Sequence, residues 1–232
     1  MSQALESTRP PCRCPWLCLW LLGLVALPAI WIWADPYTLQ IQHALQTNAA
    51  FKAALPFIKP LGKLDKQIVA LLLVYGVGLL LRRRLAHRWL ALTLGCLLAT
   101  GIVVNATKLT VRRERPKYEY RLVPLDGPDA RPSGNRYRSF PSADTASVFA
   151  IATVALAFVP GASVPVFLVG VLVGLSRIAV GMHHPADVWG ALLMATGASA
   201  LVLRRWRPRP GGRAPDEGAP GPADPGGESG SP

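Results

Sequence analysis

Three clusters of polar residues interrupt an otherwise apolar sequence, and their residue types suit the capture of an anion. The first holds Lys108, Arg112, Arg113, Arg115 and Pro116. On a continuing helix, Lys108, Arg112 and Arg115 fall at i, i+4 and i+7, which lines one face with cations. The second runs from Ser139 through Phe140, Pro141, Ser142 and Ala143 to Asp144, directly ahead of an apolar run. Ser142 and the amides after it then lie at a helix N-terminus, where unpaired N–H groups and the helix dipole favour negative charge. The third contains Ser176, Arg177, His183, His184, Pro185 and Asp187. It places an imidazole four residues ahead of a carboxylate.

Each cluster also has an ordinary explanation. Cations after a membrane span serve as interfacial anchors, which suits Arg112, Arg113 and Lys117. A Ser ahead of a helix is commonly a cap, and an Asp four residues after a His is often a local pair. Anchoring does not explain why all three clusters occur at the ends of successive apolar stretches, on one face.

Those stretches are the elements that must position the clusters. Six stand out, at about 16–34, 68–81, 89–106, 145–159, 164–175 and 188–203. Several are shorter than the roughly 20 residues a spanning helix needs. Their helices are therefore expected to extend into the polar residues at their ends, and an all-α bundle of six transmembrane helices follows. The first stretch could instead be a signal peptide cleaved after Ala34, but its weakly charged start and long Trp-rich core favour a retained span. Between the first two spans, residues 35–67 carry Lys52, Lys59, Lys63 and Lys66 among apolar residues, the pattern of a surface-lying amphipathic helix. From about Arg207 the sequence is rich in Pro and Gly and is expected to be disordered. The expected organisation is a cytoplasmic N-terminus at 1–15, a membrane domain at 16–206 and a cytoplasmic tail at 207–232.

Composition agrees with a membrane protein. Hydrophobic residues make up 51% and charged residues 16%, against about 25% charged in a soluble domain. The formal net charge is +12. In a membrane protein such an excess anchors topology, attracts anionic lipid or binds an anionic substrate; the apolar stretches argue against nucleic-acid binding. Cys12, Cys14, Cys18 and Cys96 lack zinc-site spacing and have no nearby His. With the N-terminus inside, Arg82, Arg83, Arg84 and Arg88 face the cytoplasm, as do Arg204, Arg205, Arg207 and Arg209, as the positive-inside rule prefers. Nine further cations lie between Lys108 and Arg138 on the outer side, and these need a chemical reason.

The spacings resemble the type 2 phosphatidic acid phosphatase family, membrane lipid phosphatases related to the vanadium haloperoxidases. The family's first motif, a Lys followed after six residues by Arg-Pro, is matched at Lys108, Arg115 and Pro116. Its third, Ser-Arg followed after five residues by His and after three more by Asp, is matched at Ser176, Arg177, His183 and Asp187. The second motif, Pro-Ser-Gly-His, is altered: Pro141 and Ser142 are followed by Ala143 and Asp144. A decoy at Pro132, Ser133, Gly134 and Asn135 keeps the Gly, but no apolar span follows it. The resemblance covers roughly residues 16–203.

That resemblance implies hydrolysis of a lipid phosphate or lipid diphosphate at the outer face of a bacterial inner membrane, with the site facing the periplasm or exterior. Polyprenyl diphosphate, phosphatidylglycerophosphate, phosphatidic acid and lipid A are the substrate types it suggests. It makes His183 the nucleophile that forms a phosphohistidine, with Asp187 accepting a hydrogen bond from the other ring nitrogen. Lys108, Arg115, Arg177, Ser142 and the Ala143 amide hold the phosphate oxygens and offset their charge. No carboxylate cluster suited to magnesium is evident, so no metal and no cofactor is expected; the sequence specifies no oligomeric state.

Asp144 takes the place of the family's proton-donating histidine. A carboxyl can donate only if it stays protonated at the working pH, and neighbouring cations favour the ionised form. Asp144 is then a weaker acid, or the enzyme is impaired, or the leaving group needs little protonation, as a phosphate leaving a diphosphate does. Two other readings use the same residues: a lipid phosphotransferase, and a non-catalytic lipid-phosphate binding protein. Retention of both His183 and Asp187 argues against binding alone. A small transporter would need ionisable residues within its spans, and the six stretches hold almost none.

Overall fold

The structure, a computed structural model, describes residues 15–81, 86–122 and 135–205. These residues form helices and connecting turns, with no strand among them. In chain order the helices are α1 (Pro15–Trp33), α2 (Thr38–Thr47), α3 (Ala49–Leu61), α4 (Leu64–Leu80), α5 (Ala86–Val111), the short α6 (Pro116–Glu119), α7 (Ala143–Phe158), α8 (Pro160–Ala179) and α9 (Pro185–Arg205). Arg82–Arg84 and the tail from Arg207 lie outside the described residues, as does the Pro132–Gly134 part of the decoy.

A helix covers each of the six apolar stretches and runs on toward its polar ends. Among the described residues, three candidate spans are long and apolar enough to cross a membrane by themselves, beginning at Ala86, Gly161 and Pro185. A fourth is counted if α1 is joined to the following Asp35–Thr47 segment across a 48° bend. At 17 and 16 residues, α4 and α7 are shorter.

The shortness of α7 goes with its place in the middle of the bundle. It packs against α5, α8 and α9, and Ala146, Phe149 and Ala150 on it bury against Val104, Ala191 and Ala195. Small residues let backbones approach closely where no water competes, so dispersion between helices can hold the bundle. A second cluster joins Ile58 of α3 to Val148 and Val173. Outer faces stay apolar and exposed, for example at Leu22, Val25, Leu73 and Leu98, as lipid contact requires.

Residues 35–67 differ from the single surface-lying helix expected. A 3-10 turn at Asp35–Tyr37 leads into α2 and α3, separated at Asn48, whose side chain caps α3 by accepting from the Phe51 amide. Both helices pack on α8, and Gln46 Nε2 donates to the Ala179 carbonyl at 2.6 Å. Burial of Ile58 between α7 and α8 ties this segment down. Helix α1 is fastened to α9 by two indoles: Trp20 Nε1 donates to Leu193 O at 2.8 Å, and Trp189 Nε1 to Gly23 O at 2.9 Å.

Candidate active site

The C-terminal end of α5, the segment after it, the N-terminus of α7 and the α8–α9 turn meet at one end of the bundle, with Asp187 at the junction. Asp187 sits in the first turn of α9 and is fully buried. Its Oδ1 accepts from Arg113 Nη1 at 3.0 Å; its Oδ2 accepts from Ser139 Oγ at 2.5 Å and from the His184 amide at 2.8 Å. The His183 ring lies beside the same oxygen, with Nδ1 at 3.5 Å from Oδ2. That exceeds the roughly 2.7–3.2 Å of a formed hydrogen bond, so the expected pair is assembled but not yet closed.

His183 is buried. Burial lowers its pKa below the ordinary histidine value; the Asp187 carboxylate opposes this, and the charges of Lys108 and Arg115 reinforce it. Burial thus favours the neutral ring, the state in which a nitrogen lone pair can attack. With Nδ1 turned to Asp187, Nε2 is the atom left for chemistry. The chain enters His183 through a tight reversal at Gly181, where φ is +68° and a side chain is disfavoured; the Gly181 carbonyl accepts from the Lys117 amide at 2.9 Å.

The cations take up distinct stations. Lys108 is buried, and its Nζ donates to the Arg138 carbonyl at 3.1 Å. Arg115 is also buried, its Nη2 donating to Asn135 Oδ1 at 3.3 Å. Arg177, in the last turn of α8, donates from Nη2 to the Lys59 carbonyl at 2.8 Å. Its Nε lies 3.1 Å from Asp144 Oδ2 in an ion pair. Lys108 is within electrostatic reach of Arg115, Asp144 and Asp187. Ser142 is buried at the N-cap of α7; its amide donates to the Asp187 carbonyl at 3.1 Å, and its Oγ lies 2.8 Å from Thr145 Oγ1. Ala143 is the exposed first residue of α7, and Asp144 is half-buried beside it.

One face of three cations does not form. Helix α5 ends at Val111, and Arg112 adopts a φ of +46°. That break turns Arg112 outward, while Arg115 reaches the site from the irregular segment. The anchor explanation is also corrected for Arg113. Its side chain is only 12% exposed, bridges Asp187 and Asp35, and stacks 4.1 Å from the Trp31 ring.

Asp35, Ser139 and His184 are further members; Ser139 and His184 stood in the sequence clusters without a role, and Asp35 stood in none. Asp35 carried one usable signal, a lone carboxylate at the end of an apolar helix on the same face as the motifs. Burial pushes His184 down to about 4, with Arg113 adding to the effect. Its Nδ1 lies 3.1 Å from Thr38 Oγ1, which also donates to the Asp35 carbonyl at 2.6 Å, and its Nε2 lies 3.0 Å from Glu119 Oε2. At Gly62, an added Cβ would come within 2.8 Å of Val173 Cγ1 and 3.1 Å of Arg177 Nη2, so the α3–α4 corner presses directly on the site. A cleft of about 150 Å³ opens beside it, lined by Leu97, Val104, Asn105, Ala143 and Asp144 among others.

Residues 89–210, more than half of the chain and all three motif clusters, match the model of the PAP2 superfamily. The chain belongs to the PAP2 superfamily. Among similar proteins, the decaprenylphosphoryl-5-phosphoribose phosphatase of Mycobacterium tuberculosis is 34% identical over 132 residues, covering 57% of this chain and 68% of that protein. The PAP2-type phosphatidylglycerolphosphate phosphatase of Bacillus subtilis shares the fold, with a TM-score of 0.59 and 20% identity over 82% of this chain and 94% of that one. Aquifex aeolicus LpxE does so with a TM-score of 0.56 and 23% identity, over 74% and 94% of the two chains. The family identification made from Lys108, Arg115, Pro116, Ser176, Arg177, His183 and Asp187 therefore holds.

Proposed function

We propose that this PAP2 chain hydrolyses a lipid phosphate or lipid diphosphate at the outer face of the cytoplasmic membrane, through a phosphohistidine at His183 and without a metal ion. The observation that carries this reading is the buried His183 set beside Asp187 and near the buried cations Lys108 and Arg115. The His183 Nε2 lone pair forms an N–P bond as the P–O bond to the lipid breaks, its electron pair leaving on the lipid oxygen. Water then attacks phosphorus, the N–P bond breaks, and inorganic phosphate is released. Lys108, Arg115, Arg177, Ser142 and the Ala143 amide offset charge on the phosphoryl oxygens, the main requirement of phosphoryl transfer. Metal independence is supported by the residues themselves, since these cations supply the charge that a metal supplies elsewhere, and Asp187 and Asp144 are each committed to an arginine.

The reading takes residues 16–206 as a six-span domain, with 1–15 and 207–232 on the cytoplasmic side of a bacterial inner membrane. Helices over all six apolar stretches support it, and so does the gathering of all three clusters at one end. The M. tuberculosis relative, named for decaprenylphosphoryl-5-phosphoribose, supports a polyprenyl-linked substrate class. Asp144, engaged with Arg177, favours a leaving group that needs little protonation, which points to a diphosphate.

The test is phosphate release by the purified chain from a panel of polyprenyl and glycerolipid mono- and diphosphates, with and without chelator. Release that persists in chelator, and falls about a thousandfold or more in His183→Ala, is expected. Release unaffected by His183→Ala, or abolished by chelator, overturns the nucleophile or the metal-free route respectively. Equal or greater activity on monophosphates overturns the diphosphate preference.

A further inference from the structure

Arg113 is held by two carboxylates, and only one of them belongs to a PAP2 motif. Its Nη1 reaches Asp187 Oδ1 at 3.0 Å, and its Nη2 reaches Asp35 Oδ2 at 2.6 Å. The other oxygen of Asp35 accepts from the Ala186 amide at 2.9 Å. Asp35 is buried at the elbow that follows α1, 151 residues away from Ala186. It thus grips the N-terminal turn of α9 twice, by the backbone just before Asp187 and by the Asp187 side chain through Arg113.

We infer that Asp35 is a positioning residue for the His183–Asp187 pair, acting through Arg113; this rests on the phosphatase reading above. The geometric part follows from the contacts. A guanidinium paired to one carboxylate retains rotational freedom, whereas two carboxylates and the Trp31 face leave one orientation. The electrostatic part follows from the charges. Arg113 and Asp187 alone form a neutral pair, and a neutral pair does little to stabilise positive charge developing on the His183 ring. Asp35 makes the triad net negative again, so Asp187 keeps its influence on the imidazole while Arg113 fixes its position.

The other charged groups around His183 are Lys108 from α5 and Arg115 from the segment after it, which act on the ring directly. Asp144 of α7, paired with Arg177 of α8, acts on Lys108. Glu119 lies 3.0 Å from His184 Nε2. None of these touches Asp35, which outside the triad holds the Ala186 amide and acts through space on Glu119 and Tyr120.

The experiment compares the full chain with Asp35→Asn, Asp35→Glu, Arg113→Gln and, as a charge-matched neighbour, the exposed Arg112→Gln. Each is purified in detergent and assayed across pH on a lipid that the unaltered protein hydrolyses. Asp35→Asn is expected to lower kcat about tenfold to a hundredfold, with KM changed by less than about threefold. Asp35→Glu recovers part of the loss, and Arg112→Gln changes neither constant. Removing the negative charge disfavours protonated His183, so the acid limb of kcat/KM moves to lower pH in Asp35→Asn; removing the positive charge moves it to higher pH in Arg113→Gln. Limbs that stay in place, or a kcat within about threefold of the unaltered protein for Asp35→Asn, overturn the inference. Should Asp35→Asn fail to fold, Asp35→Glu decides: a lowered kcat with KM little changed supports the inference, and kinetics equal to those of the unaltered protein overturn it. Absence of phosphate release by the unaltered protein is a different failure, that of the phosphatase reading.

Discussion

Asp144 Oδ2 lies 3.1 Å from Arg177 Nε, and the same arginine donates from Nη2 to the Lys59 carbonyl. The carboxyl that stands where the family pattern has a histidine is therefore engaged with a cation assigned to the phosphate. In the proposed reaction a carboxyl held there competes with the substrate phosphate for Arg177. Any difference between this chain and PAP2 proteins with the histidine should be visible here first.

Asp144→His supplies the missing donor and frees Arg177. General acid catalysis is worth about a hundredfold to ten-thousandfold where the leaving group needs a proton. The ratio of kcat/KM for a lipid monophosphate to that for a lipid diphosphate is therefore expected to rise by about tenfold or more. Measuring both substrates with both proteins checks it; an unchanged ratio removes Asp144 from the proton-transfer step.

The histidines predict a pH dependence of stability. Burial holds His183 below its ordinary value and His184 at about 4, whereas an unfolded histidine titrates near about 6.5. Between those values the unfolded chain binds more protons than the folded one, so stability falls as pH falls. Tm in detergent should be level above about pH 7 and should drop from there toward about 4, the value of His184. His184→Gln should flatten part of that drop. A Tm profile identical in the two proteins would separate His184 from the effect.

Gly62 offers a steric test of the Arg177 station. A Cβ there meets Val173 and Arg177, and overpacking of this kind costs about 1–3 kcal/mol. Gly62→Val should lower Tm accordingly and, by displacing the guanidinium, lower kcat/KM for phosphate release by more than stability explains. Kinetics at a temperature where the variant is fully folded make the distinction; unchanged kinetics would show that Arg177 is not held from the α3–α4 corner.

Much of this protein was legible in the amino-acid sequence. Lys108, Arg115, Ser142, Arg177, His183 and Asp187 stood out because each lies at the end of an apolar stretch, where a polar residue needs a reason, and because their spacing is local. Apolar run length likewise marked where helices form. The partners of those residues were not legible. Arg113 reaches Asp187 across 74 residues and Asp35 across 78, and Ser139 reaches Asp187 across 48. No periodicity links such positions. Arg112 and Arg113 are the same residue type side by side after one span, yet the turn at Arg112 sends one outward and the other between two carboxylates. The proposed chemistry rests on residue type and spacing along the chain. Which charges neutralise one another, and whether Asp144 is occupied by Arg177, were decided by packing alone, because electrostatic pairing depends on distance in space and burial from water.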